Sequence, residues 1–275
     1  MPNILPLAFA TTSALFARER GTRQNAERLA AALLETLLNA IDANDPMTGS
    51  HVRRVARFGL ILADAADLDD HECHKVERVA LFHDIGKISE ALFDIIHDDS
   101  KLSPQQKQAI ATHPQRGAEV LAPLAAFYPE LAEGVLSHHE RWDGTGYPRK
   151  LAGAEIPLTA RIVSIADSFD AITHARRYKP GRSAREGARI ICEGRGKQFD
   201  PDLTDLFLCP PVFECIEAEM EEARVVERHG ASVRNDHPPR APRAPLADRR
   251  HGDSEARATP DVKFRWRESA LEQPR

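Results

Sequence analysis

Between Glu27 and Ile41 the apolar residues Leu29, Leu33, Leu34, Leu37, Leu38 and Ile41 recur at helical intervals, the period of one face of an α-helix. The same period predicts a second helix from Thr48 or Ser50 that carries Val52, Val55, Phe58 and Leu62. A third starts with Asp70 as N-cap and runs to about Asp84, with Gly86 at its end. Ser103-Pro104 opens a fourth, an N-cap followed by proline in the first turn. A fifth spans Glu130 to Glu140, and a sixth spans Leu158 to Ile172 with Ile162, Ile165, Phe169 and Ile172 on one side. Ser183-Ala-Arg-Glu186 is a capping box that opens a seventh, and residues 211–227 close the body. No alternating strand pattern and no internal repeat interrupts this series, so the expected fold class is all-α, a single helical bundle.

The pattern fails after Gly230. Residues 231–275 hold six prolines and nine arginines but few large apolar residues. Such a segment cannot bury enough surface to offset its chain entropy. The expected organisation is therefore an N-terminal segment (1–25), a helical domain (26–228) and a disordered Pro/Arg-rich tail (229–275). Charge follows the same division. The tail has ten Lys or Arg against seven Asp or Glu, while the whole chain carries −5, so the body carries −8. An acidic body is a poor general nucleic-acid binder, and an anionic ligand would need a local cationic site.

No stretch reaches the ~18 uninterrupted apolar residues of a spanning helix. Met1 to Phe16 lacks the basic start of a signal peptide and is broken by Pro6. A cytoplasmic protein is expected, without a membrane span. Cys73, Cys192, Cys209 and Cys215 form no Cys-x-x-Cys pair, and are expected as buried reduced thiols.

Of twelve histidines, five stand out. His51 lies at the start of the second helix, and His83 is followed directly by Asp84. His113 ends an apparent helix before Pro114, and His138 and His139 are adjacent. Asp167 interrupts the apolar run Ile162 to Phe169. A buried carboxylate is costly unless it is paired or holds a metal. Nearly every helix thus offers a nitrogen or carboxylate to one site. Neighbours on a helix point about 100° apart. The doublet at 138–139 can therefore supply two ligands most easily if it faces two metals or if the helix ends there. Asp84, with two oxygens, can bridge two cations. Imidazole and carboxylate without thiolate suit iron, manganese or zinc. By contrast, His71-Glu72-Cys73-His74 lacks a metal-binding spacing and is expected to be structural.

These residues also resemble a known family. His83-Asp84-Ile-Gly-Lys87-Ile resembles the signature of the HD phosphohydrolases. His138-His-Glu-Arg-Trp-Asp-Gly-Thr-Gly-Tyr-Pro148 resembles the second signature of their HD-GYP subgroup. Thr112-His113-Pro-Gln-Arg-Gly117, Ala160 to Ala171 around Asp167, and Gln198-Phe-Asp-Pro201 resemble the family's other landmarks, in order, between Leu33 and Leu208. The resemblance implies an HD-type bundle around a two-metal site, with iron or manganese as the divalent ions. It makes His51, His83, Asp84 and Asp167 ligands of one metal. His113, His138 and His139 become ligands of its neighbour, with Asp84 shared.

It further implies that Lys87 contacts a substrate phosphate, that Arg176 and Lys179 hold a second phosphate, and that Tyr147 lies at the rim on the Gly-Tyr-Pro loop. That loop also implies contact with GGDEF-type partners. Some family members place a Glu four residues before the first histidine, for a third metal; here Met47 stands there, so two metals are expected. With roughly 25 residues before the first predicted helix, no classical sensor domain is expected within that stretch. The implied activity is hydrolysis of cyclic di-GMP to pGpG, with GMP as a further product. Two other readings share these residues: a weak binding module for a cyclic dinucleotide or a GGDEF partner, and a phosphohydrolase for another cyclic dinucleotide.

Overall fold

The computed structural model describes residues 5–88, 103–174 and 181–228. The tail expected from residue 229, and Arg176 and Lys179, lie outside them. The described residues form helices and short 3-10 turns with no strand, as the apolar period requires. No helix among them is long and apolar enough to cross a membrane.

Helix α1 (Leu5–Asn44) is longer than the predicted stripe. Its inward face is Ala30, Leu34 and Ile41, while Leu29 is 63% and Leu33 46% exposed. The apolar period had placed both leucines in the core. In a run this rich in Leu and Ala several faces are apolar, and packing chooses among them. Helix α2 (Pro46–Ala65) starts earlier than predicted. Asp45 caps it by accepting the Met47 amide at 3.0 Å, and Pro46 needs no amide partner in the first turn. Its residues Val52, Val55, Phe58 and Leu62 are all fully buried, which is the predicted face.

Helix α3 (Asp70–Phe82) is capped by Asp69 rather than Asp70, through the Glu72 amide. A 3-10 turn (Ile85–Ile88) follows. A Cβ on Gly86 would lie 2.1 Å from the His113 carbonyl oxygen, so only glycine lets this turn press against the chain at His113. Helices α4 (Pro104–Ile110), α5 (His113–Leu121) and α6 (Pro129–Ser137) come next. His113 begins a helix instead of ending one. Proline was read as a terminator, but Pro114 occupies the first turn, where its missing N–H costs nothing.

Helix α7 (Leu158–Thr173) runs through the middle, with Ile162, Val163, Ile165 and Phe169 fully buried. A helix with so many buried apolar residues belongs in the interior, and its polar residues include Asp167 and Asp170. It packs on α2, α3 and α6, then on α8 (Ala184–Glu193) and α9 (Pro201–Phe207). Helix α10 (Pro210–Arg228) covers α2 with Ile216 and Met220. Phe58 meets Phe169 edge-on at 5.5 Å, and Phe169 meets Phe207 at 5.2 Å, joining α2, α7 and α9 in one core. The thiols are not buried as expected: Cys192 and Cys215 are exposed, and Cys73 and Cys209 are half-buried. Ile191 and Ile216, one position away on the same helices, take the inward direction instead.

Candidate metal centre

Helix ends build the centre. His83 follows the last residue of α3, and its Nδ1 lies 2.7 Å from the Ala80 carbonyl. His138 follows the last residue of α6, with Nδ1 2.6 Å from the Val135 carbonyl. His113 opens α5 while its Nδ1 lies 2.7 Å from the carbonyl of Ile110, the end of α4. Terminal carbonyls lack intrahelical partners. A carbonyl only accepts, so each Nδ1 carries the proton and donates it. Each Nε2 is left as a lone pair directed inward. His51, in the second turn of α2, is held differently: its Nδ1 lies 2.6 Å from Asp170 Oδ2 on α7.

The ligating atoms gather into two groups. His51, His83 and Asp167 form one, and His113, His138 and His139 the other; within each group the atoms lie within 4.8 Å of one another. Asp84 stands between them. Its Oδ2 is 3.6 Å from His83 Nε2 and 3.8 Å from His51 Nε2. Its Oδ1 is 3.3 Å from His113 Nε2. Lys87 donates to Oδ2 at 2.6 Å. The doublet question is answered by the helix end at Ser137: His138 and His139 turn into the same group.

Charge and burial suit this donor set to metal ions. His83 Nε2 and Asp84 Oδ1 are buried with no hydrogen bond among the described residues. An orphaned buried polar atom costs about 1–3 kcal/mol, and a cation in each donor group would satisfy them, His83 Nε2 in one and Asp84 Oδ1 in the other. Burial opposes charge on Asp84, yet Lys87, His83 and His113 hold its carboxyl well below the usual range. Asp167 is likewise held low against burial, by His51 and His83. Burial pushes His139 down to about 3, with His113 adding to the effect. It pushes His138 and His83 down too. These imidazoles are neutral near pH 7, the form that ligates. On His51 burial is outweighed by hydrogen bonds to Asp167 and Asp170, which raise it to about 9.

Asp170 escaped the sequence reading. It is 2% exposed and accepts from Arg54 Nε at 2.7 Å and from Arg54 Nη2 at 3.2 Å; His174 Nδ1 lies 2.9 Å away. Its one signal is position, a helical turn after Asp167 on α7, and nothing in the sequence says that it faces His51. Asp170→Asn keeps the volume but removes the charge that orients His51. We expect the chain to stay folded while affinity for the metal of the His51 group falls about 10–100-fold. Calorimetric metal titration checks this; unchanged affinity would show that His51 is oriented without the carboxylate.

The loop after the doublet folds back on the centre. Glu140, also missed, is 2% exposed and accepts the Arg149 amide at 2.6 Å and the Leu151 amide at 3.2 Å. A Cβ on Gly146 would lie 2.4 Å from the Arg141 amide nitrogen, so the return strand of the loop needs glycine. Tyr147 then stacks on His139, with ring centroids 5.0 Å apart and 28° between planes. Burial, with Asp84 and Asp167 nearby, pushes its phenol up to about 12.

The Gln198-Phe-Asp-Pro landmark braces this loop from outside. The Trp142 and Asp143 amides donate to the Gln198 and Lys197 carbonyls, at 3.2 and 2.8 Å. Asp200 caps α9 and accepts from Arg161 at 2.6 Å. Met47 is 43% exposed, in the first turn of the helix that carries His51.

An all-helical bundle that directs imidazoles and carboxylates from α2, α3, α5, α6 and α7 onto one buried point defines a protein built around a His–Asp metal site. The chain belongs to the HD-domain family, whose profile matches residues 35–203. It is 35% identical over 178 residues to the 3'3'-cGAMP-specific phosphodiesterase 2 of Vibrio cholerae, covering 64% of this chain and 34% of that one. It is 32% identical over 197 residues to a cyclic di-GMP phosphodiesterase of the same organism (66% and 40%). It is 34% identical over 178 residues to a cyclic di-GMP phosphodiesterase of Thermotoga maritima (64% and 48%). The chain thus spans between about a third and a half of the length of these relatives.

Proposed function

We propose that this chain is a metal-dependent phosphodiesterase that hydrolyses cyclic di-GMP to linear pGpG, and that it works in the cytoplasm. The observation that carries the reading is Asp84, set between two donor groups with the Lys87 ammonium beside it. Divalent cations bound there, iron or manganese on this donor set, would supply Lewis acidity and a water acidified to near neutrality. His51, His83 and Asp167 would hold one, His113, His138 and His139 the other, and Asp84 both. His83, His138 and His139, which burial keeps neutral, have their lone pairs available at pH 7, and the buried wall behind them excludes bulk water.

In the reaction the water oxygen bonds to phosphorus in line with the 3′ oxygen. The P–O3′ bond breaks, and the proton ends on the departing 3′ hydroxyl. Lys87, on the open side of Asp84, is placed to neutralise the charge that develops on the phosphoryl oxygens. Tyr147 borders the same opening, and Arg176 and Lys179 are assigned to the distal phosphate. The loop ending in Tyr147 is the surface this reading offers to a GGDEF-type partner.

A second reading has its own support: one relative's name makes it specific for 3'3'-cGAMP. The test serves both. Protein loaded anaerobically with Fe or Mn, two ions per chain given Met47 at the third-metal position, is expected to convert cyclic di-GMP to pGpG and to stop when a chelator is added. Turnover of 3'3'-cGAMP in preference would shift the assignment to that substrate. Metal-loaded protein that binds either dinucleotide without cleaving it would make the chain a binding module.

A further inference from the structure

Four imidazoles at the centre are fixed at Nδ1 by hydrogen bonds, His83, His113 and His138 to carbonyls and His51 to Asp170. The His139 ring has none among the described residues. It is held by rings instead: His138 at 4.1 Å, His113 edge-on at 4.9 Å, and Tyr147 at 5.0 Å with 28° between planes. The two histidines are themselves members of the group that His139 completes. Among the described residues, Tyr147 is therefore the ring contact that comes from outside it.

We propose that Tyr147 is a positioning residue for His139, its ring doing by stacking what a hydrogen bond does for the other four imidazoles. A flat contact limits tilting of the imidazole about its side-chain bonds, so the ring's lone pair stays directed at the group. The loop is constructed to deliver this contact. The Tyr147 amide donates back to the His139 carbonyl at 3.3 Å. Glu140 pins the backbone just beyond Pro148 through the Arg149 and Leu151 amides. Gly146 lets the returning chain lie against Glu140 and Arg141. Asp143 closes the far turn by accepting from the Thr145 amide at 3.0 Å and the Thr145 hydroxyl at 2.6 Å. The spacing from His139 to Tyr147 is on this account that of a return loop which brings an aromatic ring onto its own starting histidine. The phenol hydroxyl has no hydrogen-bond partner among the described residues, so the ring is the part that acts.

The inference rests on the site being a metal centre but not on the identity of any substrate, and the test uses none. Metal-stripped full-length chain is titrated with Mn2+ by calorimetry. In the wild type two sites are expected. Tyr147→Phe, which keeps the ring, should leave both affinities within about threefold. Tyr147→Ala should weaken one site about 10–100-fold, the range for losing an outer support of a ligand. The other site should be retained, because His51 and His83 have their own supports in Asp170 and the Ala80 carbonyl. The retained site also reports that the alanine variant is folded. The proposal is overturned if Tyr147→Ala binds both ions as the wild type does. It is equally overturned if Tyr147→Phe is as weak as alanine, which would assign the effect to the hydroxyl, or if alanine weakens both sites alike. A wild type that binds no Mn2+ would sink the metal centre itself and this inference with it.

Discussion

Asp84→Asn is expected to strip both donor groups of metal and to reduce turnover of a cyclic dinucleotide by at least ~10³-fold, the upper range for one preorganised electrostatic group. The amide fills the same volume but carries no charge and presents one acceptor oxygen. In the structure one oxygen faces His83 and His51 while the other faces His113, so a single acceptor cannot serve both groups. His83→Ala should be milder in metal content, because His83 belongs to one group only. Elemental analysis of the two variants beside the wild type makes the comparison. If Asp84→Asn retains both ions at wild-type affinity, Asp84 does not bridge.

Lys87→Ala is expected to keep its metal and lose about 10²–10³-fold in kcat, the scale of one charge-stabilising donor removed from the transition state. Among the described residues Lys87 makes its ion pair at the centre with Asp84 Oδ2, at 2.6 Å, and its side chain is 26% exposed, so its ammonium can reach outward to a phosphate. Asp84 retains His83 and His113 beside it after the substitution. KM should change less than kcat, because the charge that Lys87 meets develops as the P–O bond breaks. A variant with full kcat would remove Lys87 from the chemistry, and a variant that loses metal would make it a structural partner of Asp84.

Much of this was legible along the chain because it depends on short-range periodicity. The inward face of α2, read as Val52, Val55, Phe58 and Leu62, is fully buried; that helix mixes polar and apolar residues, so only one face is apolar. In α1 the rule weakened. With Leu and Ala nearly all round, sequence could not choose between Leu29 and Ala30, and packing in the bundle placed Ala30 inward. Pro114 was ambiguous for a local reason as well, since the same residue ends one helix and begins another according to the backbone before it.

At the site, the sequence by itself determined which residues carry ligating atoms and that one carboxylate, Asp84, could serve two groups. These are properties of residue type and of neighbours in the chain. It also determined that helices would present them, since the helical period is written in the apolar positions. Only the tertiary structure decided the rest. It sorted six donors into two groups around Asp84, set Asp170 behind His51 although they stand 119 positions apart in the sequence, and returned Tyr147 onto His139. Each of these is a distance between segments whose separation in sequence carries no information about their separation in space. That separation is fixed by the packing of α2, α3 and α7 into one core and by the close approaches that Gly86 and Gly146 permit.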